Sequence, residues 1–144
     1  MRTTKKIILV EDNIADMELT KLAFRKLELP LEVIHVFDGY ELIDLLENSN
    51  LEDVALILLD LNMPKLGGLE VLKIMDENEE LCKLPVIVFS TSSNEEDVYA
   101  CYEFGANAYV NKPIDINEFH KTIEAIAHFW GDVNVLPAFN NVNL

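Results

Sequence analysis

The sequence predicts an α/β fold, a parallel sheet with helices packed on both faces. Three observations predict it. Five apolar runs, 7–10, 31–37, 54–59, 86–89 and 108–110, are separated by longer amphipathic stretches. Three of the runs are nearly continuous hydrophobes, which suits strands buried on both faces. Strand-like and helix-like segments alternate five times, the order of a doubly wound sandwich with right-handed crossovers.

Each element has its own signal. Ile7-Ile8-Leu9-Val10 is the first strand and stops at Glu11-Asp12. Ala15, Leu19, Leu22 and Ala23 then recur at i, i+4, i+7 and i+8, the stripe of a helix. Pro30 marks the start of the second strand, and Asp38, three residues before Glu41, opens the second helix as a cap. The third strand, 54–59, ends at Asp60, and Gly67-Gly68 makes a loop before the next helix. Pro85 precedes the fourth strand, and Ser93 with Glu96 repeats the capping spacing. The fifth strand, 108–110, leads to Lys112-Pro113. Asp115 with Glu118 opens a last helix whose apolar face is Phe119, Ile123 and Ile126. Residues 1–127 form one domain and 128–144 a tail containing Phe129 and Trp130.

Composition narrows the function. The chain has 144 residues, half of them hydrophobic, enough for one core. Its formal charge of −15 repels nucleic acid, and no basic stripe offsets it. Its apolar runs are too short to cross a bilayer. The start is basic, but the apolar run 7–10 that follows ends at once in Glu11 and Asp12, so it is no secretory signal, and the cytoplasm is the default compartment. Cys82 and Cys101 lack ligand spacing and read as packed thiols.

In such a sheet, ligands bind at the carboxyl ends of the strands. Those ends carry Glu11, Asp12, Asp60, Asn62, Ser90, Thr91 and Lys112. Three clustered carboxylates repel one another unless a cation joins them. All-oxygen ligands on strand-end loops suit Mg²⁺, and a hydroxyl and a lysine can hold phosphoryl oxygens. A carboxylate there can be the nucleophile that forms an aspartyl phosphate. Plainer readings stand beside these. Asp12 could cap the first helix, Lys112 could be a solvated loop lysine, and Ser90 could be an ordinary strand-end hydroxyl. Asp60 follows Leu56-Ile57-Leu58-Leu59, where an idle buried acid is costly.

Over residues 5–127 the chain resembles the receiver domains of two-component signalling. The motifs are Leu9-Val10-Glu11-Asp12-Asn13, Leu59-Asp60-Leu61-Asn62-Met63-Pro64, Phe89-Ser90-Thr91 and Ala108-Tyr109-Val110-Asn111-Lys112-Pro113. The resemblance implies a flavodoxin-like sandwich with strand order 2-1-3-4-5. It makes Asp60 the phosphoacceptor for a sensor histidine kinase. It makes Asp12 and Asp60 ligands of Mg²⁺, with Glu11 acting through water and the Asn62 backbone carbonyl as a further ligand. Lys112 would contact the phosphoryl oxygen, with a cis bond to Pro113. Thr91 would meet the phosphoryl group through its backbone, and Asn13, Thr91 and Ser92 would tune its lifetime. Ser90 matches the switch hydroxyl and Tyr109 the switch aromatic, though Tyr109 also reads as a half-buried strand tyrosine. The readout would lie on the fourth helix, fifth strand and fifth helix, 94–127. Such a protein catalyses only its own phosphorylation and dephosphorylation.

The segments 129–137 and 76–85 resemble single-domain regulators paired with phytochrome-type kinases. That implies a homodimer formed with the tail and last helix. The plainer alternative is that Phe129 and Trp130 close the core. Rival classes fit less well. A dehalogenase-like phosphatase needs an acid where Asn62 stands, and an FMN carrier would not place Glu11-Asp12 after its first strand. A receiver-like module without phosphorylation would have lost an acid or the lysine. His35, His120 and His128 lack the four-helix bundle of a phosphotransfer protein.

Overall fold

A computed structural model of the chain describes residues 4–137. Five strands alternate with five helices: β1 (Lys5–Val10), α1 (Ile14–Lys26), β2 (Leu31–Val36), α2 (Gly39–Glu47), β3 (Val54–Leu59), α3 (Gly68–Asp76), β4 (Val86–Ser90), α4 (Glu95–Glu103), β5 (Ala108–Asn111) and α5 (Ile116–His128). The sheet is parallel throughout, in the order β2-β1-β3-β4-β5. This is the flavodoxin-like sandwich.

Strand pleating sorts the core into two layers. Ile7 and Leu9 pair with Leu56 and Leu58, and these face α1 and α5 through Ala23, Phe24, Phe119, Ile123 and Ile126. Ile8 and Val10 pair with Ile57 and Leu59, and these face α2, α3 and α4 through Leu42, Val71, Met75 and Cys101. Every residue of β3 and β4 is buried, as an unbroken apolar run with helices on both sides requires. The edge strands β2 and β5 are mostly half-buried, and Phe37 lies beyond β2 and is exposed.

Four local expectations are corrected. The buried residues of α1 are Thr20, Ala23 and Phe24, while Ala15 and Leu22 are exposed. The helix is rotated to bring the Phe24 ring onto the sheet, because the larger side chain removes more apolar area from water. Helix α4 is capped by Asn94, not Ser93, and the Asn94 Oδ1 accepts from the Glu96 N–H at 2.8 Å. Helix α1 is capped by Asn13, whose Oδ1 accepts from the Asp16 N–H, so Asp12 is free of that duty. No cis peptide bond occurs among the described residues, so the Lys112–Pro113 bond is trans, the intrinsically preferred X–Pro isomer by about 0.5–1 kcal/mol. The caps at Asp38 and Asp115 are as expected.

The chain does not leave the core at His128. Residues Phe129–Val133 continue α5 as one wide turn, closed by the Asn134 N–H on the Phe129 carbonyl at 2.6 Å. Gly131 lies against Leu31, where an added Cβ would stand 3.0 Å from a methyl. Trp130 and Leu136 pack on the α1–α5 layer, whereas Phe129 stays exposed with its ring edge-on to Trp130. Of the tail, 138–144 lies outside the described residues. Cys82 and Cys101 are both free thiols.

Candidate functional site

The order β2-β1-β3 means that the chain leaves β1 toward one side of the sheet and leaves β3 toward the other. The reversal opens a crevice at the carboxyl ends of those strands. The backbone there is pinned. Glu11 N–H donates to the Val36 carbonyl at 3.1 Å, and Asp60 N–H donates to the Val10 carbonyl at 3.1 Å. His35 Nε2–H donates to the Glu11 carbonyl at 2.7 Å, which fixes the ring's tautomer. Helix α3 begins tight against the site. A Cβ on Gly68 would stand 2.7 Å from the Asp60 carbonyl oxygen, so only glycine fits there.

Glu11, Asp12 and Asp60 each offer a carboxylate oxygen, and these lie within 4.8 Å of one another. Glu11 and Asp60 are buried, at 2% and 7% exposure, and Asp12 faces solvent. Hard oxygen donors of this number, open on one side, fit a divalent cation of the Mg²⁺ or Mn²⁺ class rather than zinc. The Asp60 carboxylate accepts a long bond from the Asn62 N–H at 3.4 Å.

Lys112 enters from the end of β5, where its N–H donates to the Ser90 carbonyl at 2.8 Å. Its side chain is nearly buried. The ammonium donates to Glu11 Oε1 at 2.6 Å and to Asp16 Oδ2 at 3.1 Å, and stands 3.7 Å from Asp60 Oδ1. Burial and the Glu11 carboxylate push the Asp60 carboxyl up to about 8, against the weaker pull of Lys112 and the Asn62 N–H. Burial works against the Lys112 charge, but Glu11, Asp60 and Asp16 outweigh it and hold the ammonium above the ordinary lysine range.

Ser90 is fully buried, and its Oγ accepts from the Ser92 N–H at 3.1 Å. Tyr109 is half-buried and packs on the α2–α4 layer; its hydroxyl donates to the Ser92 carbonyl at 2.8 Å. The Ser92 hydroxyl donates to Asp97 on α4 at 2.8 Å. Ser92 therefore joins the hydroxyl, the aromatic and a helix. Thr91 is exposed beside them.

The structure brings Glu11, Asp12, Asp60 and Lys112 together, as the strand-end reading expects. Sequence reasoning missed Asp16 and His35. Asp16 had a signal, an acid in the first turn of a helix that starts at the site. His35 had none, because its bond to Glu11 crosses between strands. His120 and His128 lie on α5 and are not part of the Glu11–Asp12–Asp60 cluster.

Residues 7–124 match the sequence profile of the response regulator receiver domain. Response regulator Rcp1 of Synechocystis sp. is 38% identical over 138 residues, 93% of this chain and 94% of that protein. The polar-differentiation response regulator DivK of Brucella ovis is 35% identical over 131 residues, 90% of this chain and 98% of that one. The fold superposes on the phosphorylated cyanobacterial phytochrome response regulator RcpA with a TM-score of 0.88 at 38% identity, covering 94% of this chain and 100% of that one. It superposes on the Mn²⁺-bound form of Rcp1 with a TM-score of 0.85 at 37% identity, covering 93% of this chain and 99% of that one.

Proposed function

The chain belongs to the response regulator receiver family, and on that premise we propose that it is a phosphorylation switch whose phosphoacceptor is Asp60. The observation that carries the reading is the placement of Asp60. It is a buried carboxylate at the reversal of the sheet, flanked by two further acids and by the Lys112 ammonium. Structural duty alone does not account for that arrangement.

An Asp60 oxygen attacks the phosphorus of a phosphohistidine, or of a small phosphodonor. The new O–P bond forms as the donor's bond breaks, and the leaving group departs with the electron pair. Glu11, Asp12, Asp60 and the Asn62 carbonyl would hold Mg²⁺, which neutralises charge on the phosphoryl oxygens when bound. Lys112 supplies a fixed positive charge to the same oxygens. For the switch to turn, Ser90 must give up its bond from Ser92, and Tyr109 its bond to Ser92. Two such bonds are worth about 1 kcal/mol each, within the 1–3 kcal/mol typical of coupling between sites. The face of α4, β5 and α5 reads the change.

The similarity to Rcp1 and RcpA supports a phytochrome-type sensor histidine kinase as the donor, in the cytoplasm. Exposure of Phe129, Val133 and Val135 beside α5 supports a homodimer contact. The protein turns over no substrate beyond its own Asp60. Incubation with Mg²⁺ and acetyl phosphate, followed by intact mass, tests the switch. A gain of one phosphoryl group, labile to base and absent in Asp60→Asn, is expected. No gain in the wild type would overturn it in favour of a module that binds without phosphorylation.

A further inference from the structure

Lys112 is shared by three carboxylates, those of Glu11, Asp16 and Asp60. An ammonium has three N–H donors. Glu11 takes one at 2.6 Å and Asp16 takes another at 3.1 Å. Asp60 Oδ1 is at 3.7 Å, beyond hydrogen-bond distance. The ammonium's hydrogen bonds therefore go to Glu11 and Asp16, while Asp60 holds it as an ion pair without a hydrogen bond.

Asp16 is well built for that pull. It sits in the first turn of α1, its N–H bound to the Asn13 side chain and its carbonyl bound by the Thr20 hydroxyl at 2.7 Å. Its side chain is 34% exposed, at the rim of the crevice. It is not among the three acids whose oxygens converge within 4.8 Å, so it reaches the centre through Lys112 rather than as a ligand.

We propose that Asp16 is a positioning residue that holds Lys112 back from Asp60 and so weakens the site's grip on a phosphoryl group. The inference rests on the reading of Asp60 as phosphoacceptor. A phosphoryl group on Asp60 places up to two negative charges within reach of the ammonium. Glu11 and Asp16 hold two of its three donors, so a move of Lys112 toward those oxygens works against its bond to Asp16. On hydrolysis, water attacks phosphorus, the bond to Asp60 breaks with its electron pair on the carboxylate, and phosphate leaves carrying one of the water's protons while the other passes to solvent. Lys112 then regains Asp16. The pairing therefore favours the unphosphorylated state.

The test is equilibrium binding of beryllium fluoride, a phosphoryl mimic, with saturating Mg²⁺, followed by amide NMR shifts. Asp16→Asn should bind about fivefold tighter, the effect of a partly exposed ion pair. Asp16→Glu should restore wild-type affinity. Glu18→Gln, which removes an exposed acid from the same helix, should change nothing. Mg²⁺ binding alone should stay within about twofold in Asp16→Asn, because a ligand role would move it and a positioning role would not. Equal or weaker binding by Asp16→Asn, or an equal gain in Glu18→Gln, would overturn the proposal. Wild type that binds no beryllium fluoride would remove the phosphoacceptor reading itself.

Discussion

Asp60 is buried among acids, and its carboxyl is pushed up to about 8 from the ordinary 3.8. The folded protein therefore holds this proton more tightly than the unfolded chain does. The resulting stability is fully present below about pH 3.8 and is lost as pH rises through about 8. Metal-free wild type should lose stability relative to Asp60→Asn between pH 5 and 8, by up to about 1.4 kcal/mol per pH unit. Urea melts of both proteins in EDTA measure it, and parallel pH profiles would refute it. Added Mg²⁺ should narrow the gap, because a cation favours the ionised carboxylate. The residues at the strand ends were legible because a polar side chain closing an apolar run is conspicuous. Asp16 and His35 were not, since the pairing of Asp16 with Lys112 and of His35 with the Glu11 carbonyl spans distant parts of the chain.

The helices show where local pattern succeeds and where packing overrules it. The α5 stripe of Phe119, Ile123 and Ile126 is buried as read, because those three share one face with Ala127, while Ile116 and Ala125 are exposed. In α1 the apolar residues go most of the way round, so the pattern admits more than one rotation and the Phe24 ring decides. The α4 cap failed for a related reason. Ser92, Ser93 and Asn94 all bear capping side chains, and the spacing to Glu96 points to Ser93, whereas the structure uses Asn94. Ser92 is committed to Ser90, Tyr109 and Asp97, which leaves Asn94 to close the helix. Asn94→Ala should therefore cost about 1 kcal/mol in a denaturant melt, while Ser93→Ala should be neutral within about 0.5 kcal/mol. The reverse order would show that the cap had been placed one residue too late.

The whole molecule was the most legible level, because five alternations of strand and helix leave few ways to wind a sheet. Strand order came only through the family resemblance, since an apolar run does not say which neighbour it pairs with. At the end of the domain, 129–133 continue α5, with Trp130 packed on the core and Phe129 turned out, so of the two aromatics expected to close the core one does. That outward face, with Val133 and Val135, is apolar on a chain of charge −15. Two copies repel at long range and attract only where apolar surface meets. Association through this face should then strengthen with salt, because ions screen the repulsion and leave the hydrophobic term. An interface held by ion pairs would weaken instead. Light scattering between about 0.05 and 0.5 M NaCl should show more dimer at high salt, and Phe129→Asp should abolish it. A monomer at every concentration and salt would sink the dimer, and the exposed aromatic would then need another partner.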